Sequence, residues 1–308
     1  MHTKQDFLSL SDLTAIELAN LLALAVELKQ EWKSGGNQPV LKNKTLGMVF
    51  TKPSLRTRVS FEMGMRHLGG HAMYISPDEI QLGKRESVPD VARVLSRYVD
   101  GIMARVFAHA DVAALAQYAR VPVINGLSDY THPCQGLADL LTILEYRGAI
   151  KGCTIAYVGD ANNVANSLAF GGALLGAHVV IGAPEGYQLR EDVAKRATAL
   201  AAANGGSLVQ VTDPRSAVEG ADVVYTDVWT SMGQEAEAAQ RAKVFPPFQI
   251  NAGLMALAKK DAMVMHCLPA HRGYEITDEV ADSPQSALWD QAENRMHAQK
   301  AILVKLLA

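Results

Sequence analysis

Apolar positions recur along the chain in two periods, one helical and one β-like, and their alternation predicts the architecture. Near the start, Thr14-Ala15-Ile16-Glu17 reads as a capping box, with Leu21, Leu22, Ala25 and Leu28 following at helical spacing, so a long amphipathic helix is predicted there. Short β-rich runs then come at Thr45 to Phe50, His71 to Ile75, Gly101 to Val106 and Val121 to Ile124, with helical patterns between them. The rhythm returns at Thr154 to Val158, Val179 to Ile181, Leu208 to Val211, Val223 to Thr226 and Met263 to His266. Strands alternating with helices pack as parallel sheets, so the expected class is α/β, with two domains that each hold a parallel β-sheet flanked by helices. The boundary is placed near Gly148 to Gly152, giving a first domain over 1–148 and a second over 149–286. A last helical pattern, 287–308, has no strand after it and is expected to pack back on the first domain.

Length agrees with this division, since 308 residues at about 150 per domain make roughly two, and two domains imply a cleft. Lys and Arg number 29 against 32 Asp and Glu, a formal charge of -3, so no global field favours nucleic acid or an anionic membrane, and a charged ligand has to be held locally. The most apolar stretch, Leu168 to Ala183, is interrupted by glycines and His178 and falls short of the roughly 18 to 20 residues that cross a bilayer. The N-terminus lacks the basic start and apolar run of a signal peptide. Cys134, Cys153 and Cys267 fit neither a disulfide framework nor a Cys-x-x-Cys motif, and a cytoplasmic, reducing location is expected.

Chemistry concentrates where strands end. Phe50-Thr51-Lys52-Pro53-Ser54-Leu55-Arg56-Thr57-Arg58 joins a strand to a helix start, where free N–H groups, the helix dipole, the Ser54 and Thr57 hydroxyls and the Arg56 guanidinium would converge on a phosphate. The competing reading is a capped helix with solvated arginines. A nucleotide loop is excluded, because no Gly-x-x-x-x-Gly-Lys-Ser/Thr occurs. Arg105 closes the strand Ile102-Met103-Ala104, and His132-Pro133-Cys134-Gln135 follows the next strand across a turn-rich loop. These would donate to a phosphate and to a polarised carbonyl oxygen, with His132 an electrophile rather than a base. Taken singly, His132 reads equally as a turn residue and Arg105 as a surface ion pair.

In the second half, Val158-Gly159-Asp160-Ala161-Asn162-Asn163 has the place of a dinucleotide turn but no Gly-x-Gly-x-x-Gly; its asparagines either cap the next helix or read an amino acid. Asp227-Val228-Trp229-Thr230-Ser231-Met232-Gly233 offers a carboxylate to an ammonium group, against the alternative of a polar loop with one buried Trp. His266-Cys267-Leu268-Pro269-Ala270-His271 sets a thiol between histidines, but with no second paired-ligand motif a packed thiol is preferred to a metal site.

In this order, and over essentially the whole chain, these pieces resemble the aspartate/ornithine carbamoyltransferase family. Ser54-Leu55-Arg56-Thr57-Arg58 is similar to its carbamoyl phosphate signature and His132-Pro133-Cys134-Gln135 to its His-Pro-x-Gln. Asp227-x-x-x-Ser231-Met232-Gly233 and His266-Cys267-Leu268-Pro269 resemble the ornithine branch; the aspartate branch shows a basic Arg-x-Gln segment and Pro-Leu-Pro instead. The resemblance implies transfer of the carbamoyl group of carbamoyl phosphate to the δ-amine of ornithine, giving citrulline and phosphate with no cofactor and no metal. It further implies that Ser54, Leu55, Arg56, Thr57, Arg105, His132, Pro133, Cys134, Gln135 and Arg295 contact carbamoyl phosphate, with Cys267 and Leu268 bordering both substrates. Asn163, Asp227, Ser231 and Met232 would hold ornithine, while Arg56, Arg105, His132, Asp227 and Cys267 would carry catalysis. Gln81 matches a loop reaching into a neighbouring subunit's site, which implies a homotrimer or a multiple of trimers with shared active sites and no nucleic acid or membrane partner. The Ser231 to Val244 loop is the expected lid; Cys134 is assigned no chemistry, although a thiol beside the phosphate pocket would open the protein to alkylation through two cysteines rather than one. The alternatives are transfer to N-acylornithine or putrescine, a non-catalytic ligand sensor on the same fold, and a nucleotide-binding dehydrogenase.

Overall fold

The computed structural model describes residues 4–230 and 234–308. The chain divides into two compact units, one of Met1–Leu141 with Asn294–Ala308 and the other of Thr142–Glu293.

In the first unit, helix α1 (Ala15–Lys33) begins at the expected capping box: the Thr14 hydroxyl accepts from the Glu17 N–H, and the Glu17 carboxylate accepts from the Thr14 N–H. Its apolar stripe, Leu18, Leu21, Leu22, Ala25 and Leu28, is buried. Strand β1 (Thr45–Phe50), helix α2 (Leu55–His67), strand β2 (His71–Ile75), helices α3 (Pro77–Ile80) and α4 (Val88–Leu95), strand β3 (Gly101–Arg105), helix α5 (His109–Tyr118), strand β4 (Val123–Leu127) and helix α6 (Pro133–Arg147) follow. The four strands pair in parallel in the order β2-β1-β3-β4. One side of this sheet packs Val49, Ile102, Ala104 and Val123 against Val91, Val112 and Leu115 of α4 and α5. Strand β4 starts and ends later than its apolar run predicts. Asn125 is fully buried, and its amide donates to the Leu8 carbonyl, the Ser128 hydroxyl and the Thr131 hydroxyl. A register shift between Ala104 and Arg105 takes up the extra length.

The second unit runs through strand β5 (Thr154–Val158), helix α7 (Asn163–Leu174), strand β6 (His178–Gly182), helix α8 (Glu191–Asn204), strand β7 (Ser207–Val211), helix α9 (Pro214–Val218), strand β8 (Val223–Thr226), helices α10 (Ala238–Val244) and α11 (Ala252–Met255), strand β9 (Met263–His266) and helix α12 (Asp278–Ala281). Its strands are again all parallel, in the order β7-β6-β5-β8-β9. Helix α13 (Leu288–Leu307) starts in this unit, and its residues from Asn294 onward belong to the first. Within the expected lid segment, read as a loop, Ala238–Val244 is instead helical and Arg241 is buried; Ser231 and Met232 lie outside the described residues. No helix among the described residues is long and apolar enough to cross a membrane.

Each sheet has one point where chain order reverses. In the first, β1 leads outward to β2 while its other neighbour β3 leads to β4; in the second, β5 leads to β6 while β8 leads to β9. At such a point the two connections leave in opposite directions, opening a crevice beyond the strands' carboxyl ends. Arg105 at the end of β3, Ser54 at the start of α2, Asn162 at the start of α7 and Asp227 just past β8 stand at these strand ends.

Candidate active site

At the first crevice, Phe50 and Arg105 are register partners at the ends of β1 and β3, and the Thr51 N–H donates to the Arg105 carbonyl. The chain then turns into α2, whose N-cap is Ser54: its hydroxyl accepts from the Thr57 N–H and lies 3.1 Å from the Thr57 hydroxyl. Arg56 sits in the first turn of α2, half-buried, with no hydrogen bond or ion pair to any described residue. Arg58, by contrast, is committed elsewhere, to the Glu62 carboxylate and the Tyr74 ring. Leu55 is largely exposed.

Helix α6 delivers the next group. The His132 carbonyl accepts from the Gln135 and Gly136 N–H groups, and Pro133 is the first helical residue, where a missing N–H costs nothing. Gln135 is fixed at both ends of its amide: its nitrogen donates to Asp139, and its oxygen accepts from the Arg295 guanidinium at 2.6 Å. Arg295, from α13, also donates to the Thr57 hydroxyl at 3.3 Å. Thr57, Gln135 and Arg295 therefore form one buried chain of contacts. His132 is 5% exposed, and burial, reinforced by Arg295, Arg105 and Lys52, holds its pKa well below the usual histidine value. It is a neutral imidazole in a cationic setting.

The structure does not bring every expected residue here. The Cys134 thiol donates to the Asn125 carbonyl in the core, and burial pushes it up to about 12, which disfavours the thiolate that alkylation requires. Gln81 is exposed at the end of α3, with left-handed backbone and its amide donating to the Asp78 carbonyl.

At the second crevice, Gly159 leaves β5 with φ of 136°, a conformation that side chains resist, and a Cβ there would meet the Thr226 hydroxyl at 3.4 Å. Asn162 then caps α7, accepting from the Val164 and Ala165 N–H groups. Asp227, just past β8 and 6% exposed, is the hub: one carboxylate oxygen accepts from the Asn162 amide at 2.8 Å, and the other from the Cys267 thiol at 3.0 Å and the Val228 N–H at 2.8 Å. Asn163 is half-buried in the first turn of α7. Cys267 follows β9, and Leu268 after it has φ of 58° and a cis bond to Pro269. That bend is held by His266, whose Nδ1 accepts from the Leu268 N–H while Nε2 donates to the buried Glu275 carboxylate. Asp227, His266 and Cys267 have ligand atoms within 4.8 Å of one another, but both imidazole nitrogens of His266 are already engaged.

Family models match both parts of the chain: the carbamoyl phosphate-binding domain of aspartate/ornithine carbamoyltransferases over residues 5–145 and their aspartate/ornithine-binding domain over 151–306. The chain belongs to the aspartate/ornithine carbamoyltransferase family. Among its members, an ornithine carbamoyltransferase of Pyrococcus abyssi is 58% identical over 98% of this chain and 96% of its own length. An anabolic ornithine carbamoyltransferase of Pyrococcus furiosus matches to the same degree. A solved structure of a P. furiosus ornithine carbamoyltransferase superposes with a TM-score of 0.97 at 57% identity, covering 99% of this chain and 97% of that one.

Three residues of this carbamoyltransferase-family chain escape a motif reading. The Asn162 amide donates to the Asp227 carboxylate at 2.8 Å. Arg241 donates to Asp160 at 2.8 Å and to the Trp229 carbonyl at 2.7 Å, tying α10 to the ends of β5 and β8. Lys52, inside the signature segment, is buried. For Lys52 the available signal was position, two residues beyond a strand's carboxyl end.

Proposed function

We propose that the chain transfers the carbamoyl group of carbamoyl phosphate to the δ-amine of L-ornithine, giving L-citrulline and phosphate. The observation that carries this reading is the opposite polarity of the two crevices: the first offers guanidinium groups and a neutral imidazole, the second a buried carboxylate beside a thiol. Phosphate oxygens take the α2 N-terminus with Ser54, Thr57 and Arg56. The carbamoyl oxygen takes Arg105 and His132, and the ornithine ammonium group is drawn to Asp227.

The amine, with an ordinary pKa near 10, first gives up one proton to solvent water, with Cys267 and Asp227 positioning it. Its nitrogen lone pair then forms a bond to the carbamoyl carbon, and the carbonyl π electrons move onto oxygen. When that oxyanion collapses, the bond to the phosphate oxygen breaks and its electron pair departs with phosphate, which takes the second proton from nitrogen. No covalent enzyme adduct forms. A well-placed donor to the oxyanion is worth roughly 10²- to 10³-fold in rate, and holding both reactants removes the entropic cost of their encounter.

The test is citrulline formation by the purified protein from both substrates, alongside N-acetylornithine and putrescine as rival acceptors. Ornithine should be preferred, kcat should climb from pH 7 towards pH 9, and folded Arg56→Ala should lose at least about 100-fold in kcat/KM for carbamoyl phosphate. An equally active Arg56→Ala, or a preference for another acceptor, contradicts the reading.

We further assign the chain to a homotrimer in a reducing cytoplasm, with Gln81 reaching a neighbour's site. Support comes from Leu55 and Val59, exposed one turn apart on α2, and Met73, exposed on edge strand β2, which leave apolar surface on the first unit. A sedimentation mass of one 33.1 kDa chain would contradict this assembly.

A further inference from the structure

Lys52 lies in the three-residue connection, Thr51 to Pro53, between the strand end at Phe50 and the Ser54 cap, and its side chain has turned inward: the residue is only 8% exposed. Its Nζ stands 4.5 Å from the centroid of the Phe107 ring, beyond the end of β3. No carboxylate, carbonyl or hydroxyl among the described residues accepts a hydrogen bond from it. An ammonium group carries three donors, and removing it from water without an acceptor is unfavourable; a ring face recovers part of that loss. Lysine has an easy escape, since its stem can lie along the surface with the charge in water. Here it is held inward instead.

The charged and titratable groups that face Lys52 come from three elements. Arg105 at the end of β3 repels it, Asp129 in the loop after β4 attracts it, and His132 before α6 feels its charge together with those of Arg105 and Arg295. Asp129 is exposed, and its carboxylate accepts from the His109 N–H. The balance around the Lys52 ammonium is therefore positive, which favours an anion as the missing acceptor.

We propose that Lys52 is a further contact to the phosphate group of carbamoyl phosphate, adding a fourth cation to Arg56, Arg105 and Arg295. This rests on the reading that the first crevice takes that substrate. Burial, with Arg105 beside it, pulls the Lys52 ammonium down to about 8, so the free protein loses this charge in mildly alkaline solution. A bound phosphate dianion restores the charge, so binding above pH 8 takes up a proton and weakens as pH rises. A second, opposed trend comes from ornithine, whose reactive form grows with pH. Carbamoyl phosphate affinity and turnover should therefore diverge above pH 8.

Isothermal titration with inorganic phosphate between pH 7.5 and 9.5, on the parent, Lys52→Gln and Lys52→Arg, tests this, with KM values for both substrates measured alongside. Parent affinity should fall about tenfold across that range. Lys52→Gln should bind phosphate at least about tenfold more weakly at pH 7.5 and show little further fall, while Lys52→Arg, which cannot lose its charge, should keep its affinity at pH 9.5. Ornithine KM should stay within about twofold in both variants, each checked for cooperative thermal unfolding. Parent-like phosphate affinity and pH dependence in Lys52→Gln would overturn the role of Lys52 and leave the assigned reaction intact. A parent that behaves as described with phosphate yet makes no citrulline would overturn the reaction and uphold Lys52 as an anion contact.

Discussion

On the proposed reaction His132 acts as an uncharged donor, and its surroundings favour that form. Burial first, then Arg295, Arg105 and Lys52, keep it neutral far below the usual histidine midpoint. In the unfolded chain it would take a proton near pH 6.5, so below that pH the unfolded state binds more protons and the fold loses stability. The contribution is complete above pH 6.5 and is lost as pH falls. His67, stacked on Trp32 and drawn down to about 4 by burial, Lys300 and Arg66, acts in the same direction. Two results are expected: the His132 ring signals in an NMR titration stay flat from pH 5.5 to 8, and His132→Ala costs roughly 10²- to 10³-fold in kcat, with part regained in His132→Gln, which keeps a neutral donor. A midpoint between 6 and 7 for His132 would show that it works as a charged group.

At the scale of elements, caps and strand ends were legible and clamps were not. Thr14 and Ser54 announce their helices because a hydroxyl at the N-cap satisfies a backbone donor locally, so their neighbours in sequence suffice to place them. Arg241 gives no such signal, since it falls inside the Ser231 to Val244 segment read as a lid, with nothing beside it in sequence to mark it as buried. Its partner Asp160 is distant in sequence and meets it, together with the Trp229 carbonyl, through the β5–β8 pairing. Lys52 carried only the signal of its position past a strand's carboxyl end, because nothing local tells a buried ammonium from an exposed one. The Arg241–Asp160 pair is buried on both sides, and burial lifts Asp160 to about 6 in spite of Arg241, so the pair is ionised and the clamp strongest above that pH. Arg241→Met leaves the Asp160 carboxylate without its partner and should cost about 3 to 5 kcal/mol of stability, most of it recovered in the double variant with Asp160→Asn. The double variant should show ornithine KM raised about tenfold or more with carbamoyl phosphate KM unchanged, because the segment that follows β8 has lost its anchor. Equal changes in both KM values would assign the clamp a purely structural role.

For the whole molecule, hydrophobic rhythm was enough to predict two parallel sheets, because buried parallel strands separated by helices leave a periodic trace. Strand order leaves none. The reversal between β1 and β3, and that between β5 and β8, come from which strands pair, and those two reversals decide where Arg105, Ser54, Asn162 and Asp227 stand. Motif matching supplied the residues and topology supplied the reason they sit at crevices. The central claim is that the cationic set and the Asp227 set act on one pair of reactants. The most direct test is calorimetric binding of a bisubstrate mimic, a phosphonoacetyl group joined through an amide to the δ-nitrogen of ornithine. One molecule should bind per chain, with affinity lost by at least about 100-fold in Arg56→Ala and likewise in Asp227→Ala, about 2.7 kcal/mol in each case. Binding that survives either substitution unchanged would contradict the claim.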